Sequence, residues 1–323
     1  MKRRHLLLGS IASVAPLTVT RAETAWPTRP VRFIVPFAPG GGTDTVSRLI
    51  CDQLARRFDQ TFVIDNKGGA GGNIGTAELS HAVPDGYTIG LISVSSHTLN
   101  PMLYTKLPYD PDKDLVAISR VALLANFLGV TRSLPVDDVA GLIALCKKEP
   151  GKYAFASSGP GTSLHLSGEL FKTMAGVDIQ HVPYKGAGAA YGDLIAGTVH
   201  MMFANMPSML PQVRGGKLKG LAVTSAERSK AAPEVPTIAE TLPGYVATSW
   251  YGIGAPAGTP EPILAKLEAA IGAALATPDI QKRWQDDLGL DMPPAGRAGF
   301  AAFLAADRAR WAPAVKASGV RLD

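Results

Sequence analysis

Apolar and polar positions follow two periods along this chain. The stretches "VRFIVPF" (31–37), "TFVIDN" (61–66) and "GYTIGLIS" (86–93) are short apolar runs bounded by turn residues, the pattern of buried strands. Between the first two, "DTVSRLICDQLARRF" (44–58) sets Val46, Leu49, Ile50, Leu54 and Phe58 on one helical face. Arg48, Asp52 and Arg56 fall on the opposite face. Strands alternating with helices at this spacing predict βαβ units and an α/β fold with parallel-rich sheets flanked by helices. The strand–turn–helix unit recurs at 151–176, 179–197 and 200–216, a further strand is expected at 218–225, and the tail (261–290 and 298–319) reads as helices.

Two segments interrupt this rhythm. Residues 123–135 lead from the first set of units to the second, and the Gly/Pro-rich 243–260 lead back. The expected organisation is therefore a discontinuous domain 1 (23–125 plus 247–323) around an inserted domain 2 (126–246), joined by two crossing hinge segments. A cleft between two such domains, at the carboxyl ends of parallel strands, is a favoured place for a small ligand.

The beginning of the chain alters this picture. Lys2, Arg3 and Arg4 precede an apolar stretch, Leu6 to Val19, too short and too broken by Gly and Ser to span a bilayer. Thr20-Arg21-Ala22 then offers small residues where a signal peptidase reads. Residues 1–22 are expected to be a signal peptide, exported by the Sec or the twin-arginine route, which places the mature protein in the periplasm. The 323-residue chain has a formal charge of +5, of which residues 1–22 carry +4 (Lys2, Arg3, Arg4, Arg21, no acid). The mature protein is near +1, so the charge carries no nucleic-acid footprint and no nucleic-acid partner is expected. The only cysteines are Cys51 and Cys146, both in amphipathic helical patterns, and two small buried apolar side chains are favoured over a bridge. Two cysteines and scattered histidines give no metal-ligand spacing, and no metal or cofactor is expected.

Candidate chemistry sits in glycine turns. In "PFAPGGGTDTVSRL" (36–49), Gly40, Gly41 and Gly42 open a helix whose first N–H groups can face an anion, and Thr43 adds a hydroxyl. Phe37, which closes the first strand, is a candidate beside them. A nucleotide loop would need a lysine after the glycines, a dinucleotide loop a glycine where Thr45 stands, and Asp44 would repel a phosphate. A carboxylate fits better. "SSGPGTSLH" (157–165) repeats the arrangement, with hydroxyls at Ser157, Ser158, Thr162 and Ser163 around Gly159 and Gly161, and with His165 beyond. Pairing Ser158 with His165 defines an alternative reading, a secreted serine-type hydrolase, but no Gly-x-Ser-x-Gly elbow accompanies it. Ser95 and Ser96 at one strand end, Tyr184 and Lys185 at another, and Asn205 before a proline turn complete the candidates. Trp250 and Tyr251 in the return segment either line the cleft or pack in the core.

Taken together, "PFAPGGGTDTVSRL", "VIDNKGGAGGNIGTAELSHAVPDGYTI", "ASSGPGTSLHLSGELFKTMAGVDIQHVPYKGAGAA", "AVTSAERSKAAPEVPTIAE" and "SWYGIGAPAGTP" resemble the Bug (TctC-like) receptors of tripartite tricarboxylate transporters. The resemblance covers nearly the whole mature chain. It implies a two-domain periplasmic-binding-protein (Venus flytrap) fold, capture of a small carboxylate between the domains, and hand-over to membrane permease subunits by a monomeric, non-enzymatic, cofactor-free receptor. It also implies that one ligand carboxylate is held by Gly41, Gly42, Thr43 and Asp44 on one side and by Ser158, Gly159, Gly161, Thr162 and His165 on the other. Many members carry an acid where Ala204 stands here, which favours a di- or tricarboxylate or an aromatic carboxylate over an α-amino acid.

Overall fold

Strand β1 (Val31–Val35) is buried at every position but the half-buried Arg32, as its apolar residues require, and it forms parallel pairs on both sides. This structure is a computed structural model and describes residues 25–291 and 296–322. The expected signal peptide lies outside the described residues.

From β1 the chain enters helix α1 (Gly42–Phe58), then β2 (Phe62–Asn66), α2 (Asn73–Ser80), β3 (Thr88–Ser93) and the short α3 (Asn100–Leu103). Long strand β4 (Leu115–Thr131) leads to α4 (Val139–Lys148), β5 (Ala154–Ser157), α5 (Ser163–Ala175), β6 (Gln180–Pro183), α6 (Ala187–Ala196), β7 (Met201–Asn205), α7 (Met206–Arg214) and β8 (Leu218–Val223). The return strand is β9 (Thr248–Pro256), followed by α8 (Glu261–Leu275), α9 (Pro278–Lys282), β10 (Leu290–Asp291) and α10 (Arg297–Ser318).

The strands form one mixed sheet in the order β2-β1-β3-β9-β4-β7-β5-β6, with β8 and β10 paired to β4. β1 pairs in parallel with β2 and β3, and β5 with β6 and β7. β4 and β9 are antiparallel to each other and to every neighbour they pair with. The crossing segments expected at 123–135 and 243–260 therefore fall largely within two paired strands. Both strands stand between the β2-β1-β3 half and the β7-β5-β6 half of the sheet.

Helix α1 shows how the sequence pattern becomes packing. Val46, Ile50 and Leu54 are fully buried against β1 and α8, each contributing about 1.5–3 kcal/mol by leaving water. Arg48 and Arg56 pair with Asp44 and Asp52 one turn back, and the helix stops where Asp59 adopts a left-handed conformation. Cys51 and Cys146 are both buried and free, in different apolar clusters. The cluster on the other side of the sheet takes in Phe155, Phe203, Trp250, Phe300 and Trp311, so α10 is fastened to the sheet through its aromatic face. The buried Asp307 fixes this helix by accepting hydrogen bonds from Trp250 Nε1 and Thr98 Oγ1, each at 2.7 Å.

Candidate functional site

The parallel strands deliver four helices whose first turns converge on one small cavity. Gly42 and Thr43 open α1, Ser163 and Leu164 open α5, Ala187 opens α6, and Asn205 caps α7; all six line it. Phe37, Ser93, Ser95, Ser158, Ser249 and Tyr251 complete the lining. Each helix start presents N–H groups with no partner inside the helix and the positive end of its dipole. Among the described residues lining the cavity there is no Lys, Arg, His, Asp or Glu.

The two sides are in contact. Ala38 N donates to Lys185 O at 3.1 Å, and a Cβ on Gly188 would lie 1.9 Å from Pro39 O. A Cβ on Gly42 would lie 2.8 Å from Asn205 Cβ and 3.0 Å from the Tyr251 hydroxyl. Only glycine lets α1 begin this close to the opposite wall. The enclosed volume is about 20 Å³, room for one water.

The first loop is braced from behind by Asp44. Its carboxylate accepts from Gly40 N (3.0 Å), Arg48 Nε (3.0 Å) and Asn66 Nδ2 (3.2 Å). Burial works against its ionisation, but these hydrogen bonds outweigh it and hold its pKa below the usual carboxylate value. The negative charge is thus turned away from the cavity and spent on the loop.

The second loop is braced by a threonine cap and two histidine rings. Thr162 caps α5, its Oγ1 accepting from His165 N and donating to Gly159 O. His165 Nδ1 accepts from Gly161 N at 3.2 Å, and its ring stacks on His181 with centroids 3.9 Å apart. His181 Nε2 in turn meets Ser157 Oγ at 2.7 Å. Desolvation, reinforced by His165, pushes the His181 pKa down to about 3, so the ring is uncharged. The alternative Ser158/His165 dyad is not assembled, because the second His165 nitrogen, Nε2, faces Glu169 Oε1 at 3.7 Å.

Of the candidates, Phe37, Gly42, Thr43, Ser95, Ser158 and Asn205 meet at the cavity. Gly41, Asp44, Gly159, Gly161, Thr162 and His165 shape the two loops without lining it. Ser96 turns back to Ser93 and His97, and the Tyr184 hydroxyl donates to Asp193 at 2.6 Å. Ala204 is buried in the apolar cluster beneath α6 and α7, so the strand alternation points its neighbour Asn205 at the cavity. Asn205 is held there by donating to Asn126 Oδ1 at 2.8 Å. The cavity also contains Ser93, Leu164, Ala187 and Ser249, which sequence reasoning passed over, and Ser163 and Tyr251, which it noticed without selecting. A signal for the first group existed: each lies at a strand end or in the first turn of a helix.

A mixed sheet with flanking helices, and helix starts gathered around a buried uncharged cavity, define a solute-binding protein of the periplasmic-binding-protein type. Residues 46–320 match the tripartite tricarboxylate transporter family receptor, TctC, and the chain belongs to that family. It is 36% identical to protein BugT of Bordetella pertussis over 327 residues, covering 100% of this chain and 99% of the relative. The fold superimposes on R. palustris Rpa4515 with adipate (TM-score 0.89, 38% identity, 92% of this chain and 99% of the other). It also matches MatC (Rpa3494) of Rhodopseudomonas palustris with bound malate (TM-score 0.84, 34% identity, 90% and 100% covered). The family is one of receptors, and the chain is a receptor rather than an enzyme.

Proposed function

We propose that this chain captures a small carboxylate in the cavity and delivers it, outside the cytoplasmic membrane, to the permease subunits of a tripartite tricarboxylate transporter. The carrying observation is the convergence of four helix starts on a hydroxyl-lined cavity without a charged side chain. Each helix start favours a nearby anion by roughly 0.3–1 kcal/mol, and several N–H and O–H donors can share two carboxylate oxygens. A site of this kind holds a carboxylate without a counter-cation. Two structural relatives hold adipate and malate, both dicarboxylates, which agrees with that chemistry. The family description supports the transporter as destination.

The receptor works as two lobes, 23–125 plus 247–323 and 126–246, that part along β4 and β9 to admit the ligand and close over it. A cavity of about 20 Å³ is too small for a four-carbon acid, so the walls must separate and re-form around it. Thermal-shift screening of the mature protein against malate, adipate, citrate and benzoate tests the reading. A ligand at 100 times its Kd stabilises the folded state by about 2.7 kcal/mol and raises Tm. No stabilisation by any of these acids, in protein freed of retained ligand by unfolding and refolding, overturns it.

A further inference from the structure

Two hydroxyls in the cavity have no hydrogen-bond partner among the described residues. Tyr251 Oη and Ser93 Oγ are buried and unpaired, while both residues line the same space. They are opposite each other in the antiparallel pairing of β3 and β9, Ser93 facing Tyr251, so their side chains stand on the same face of the sheet. Ser249, two residues before Tyr251 on β9, follows on that face. The backbone of Ser93 is already committed, its N–H donating to Ser96 Oγ and its carbonyl accepting from it, both at 3.1 Å, yet no side chain claims its hydroxyl. Burial raises the Tyr251 pKa well above the ordinary tyrosine value, which keeps the group an O–H donor at any physiological pH.

We infer that Tyr251 and Ser93 form a second, uncharged subsite on the cavity floor that selects acids carrying a further oxygen function, a hydroxyl or a second carboxylate, over acids with an apolar tail. The inference rests on the carboxylate-receptor reading and names the class of acid. When a ligand fills the cavity, a hydroxyl left without a partner bears the full cost of its lost hydration, and an alkyl tail laid against it imposes that cost. A ligand oxygen removes it. The reverse discrimination, against ligands that lack the hydrogen-bonding group, is the strong kind, because the site's own polar atoms are then left unpaired. The position assigned above for a Cβ on Gly42, 3.0 Å from Tyr251 Oη, puts this subsite beside the first turn of α1. The second oxygen is therefore carried within a few atoms of the anchored carboxylate, as in a short hydroxy acid or a short dicarboxylate.

The ring of Tyr251 packs in the core with Val46, Ile50 and Ile253, so Tyr251→Phe removes the oxygen and keeps the packing. Calorimetric titration of the wild type, Tyr251→Phe and Ser93→Ala with butyrate, succinate and malate is the test. The wild type should prefer succinate or malate to butyrate by about tenfold or more. Tyr251→Phe should weaken the preferred acid by about tenfold or more, leave butyrate unchanged or tighter, and show an unliganded Tm no lower than the wild type. Ser93→Ala should act in the same direction with a smaller step. Equal losses for all three acids, or none, overturn the subsite alone. A wild type that binds none of the three while another carboxylate stabilises it also overturns the subsite and leaves the receptor reading standing; failure of every carboxylate overturns both.

Discussion

The loop at 36–44 and the loop at 157–165 do the same job by different electrostatics. Both follow a parallel strand, both start a helix, and both aim that helix at one cavity. The first is tied together by an ionised carboxylate, Asp44, that gathers a backbone N–H, an arginine and an asparagine. The second is tied by a threonine cap and two stacked imidazoles, of which burial keeps His181 uncharged. In the first loop a carboxylate accepts directly from the turn's backbone, at Gly40 N, whereas in the second loop the carboxylate, Glu169, stands behind His165.

The largest effect is expected where the two loops' surroundings meet. A methyl group on Gly188 would sit 1.9 Å from Pro39 O, a backbone atom that cannot swing aside. Gly188→Ala should block closure, weaken ligand binding by about 100-fold or more, and leave the unliganded Tm near the wild-type value. Calorimetry together with scattering on the ligand-saturated protein checks this; a variant that still binds and contracts like the wild type would show that the contact is dispensable.

Next comes the charged brace. Asp44→Ala leaves the Gly40 N–H, the Asn66 amide and Arg48 without their acceptor and should cost about 2–3 kcal/mol in denaturant unfolding. Thr162→Ala in the second loop removes one cap and should cost about 1 kcal/mol by the same measurement. Equal costs would erase the distinction between the two loops.

The most diagnostic effect is in pH. His181 titrates near 3 in the folded chain and near its ordinary value of 6.5 when unfolded, so the unfolded state takes up the proton first as pH falls. Stability from this group is complete above 6.5 and is lost progressively as pH falls towards 3. Asp44, with its lowered pKa, adds a loss that begins as pH falls into the unfolded carboxylate range and continues below it. Unfolding between pH 7 and 5 should therefore be flatter for His181→Gln than for the wild type, whereas Asp44→Asn should change the slope only at lower pH. Parallel slopes for the wild type and His181→Gln would mean that the imidazole stack does not couple to folding.

Much of this was legible along the chain. Helix α1, strands β1 to β3 and the repeated strand–turn–helix units follow from apolar spacing alone, because one face of a helix and both faces of a central strand must leave water. The two glycine turns were visible because a helix start beside a glycine run has few uses. The segments 123–135 and 243–260 were read as hinges; they overlap β4 and β9, whose pairing with each other joins residues more than a hundred positions apart. Ser93 and Ser249 were not selected, since a serine at a strand end looks the same whether it faces a cavity or a neighbouring turn, as Ser96 does.

The sequence by itself determined the periodicities, the turns and the resemblance that points to a carboxylate receptor, because local spacing dictates which faces are buried. Tertiary structure alone decided which hydroxyls meet in one space, where the Asp44 charge is turned, and that Gly42 must be glycine for Asn205 and Tyr251 to approach. Those outcomes are set by the register of β3 on β9 and by the distance between facing walls, and neither is carried by any short stretch of chain.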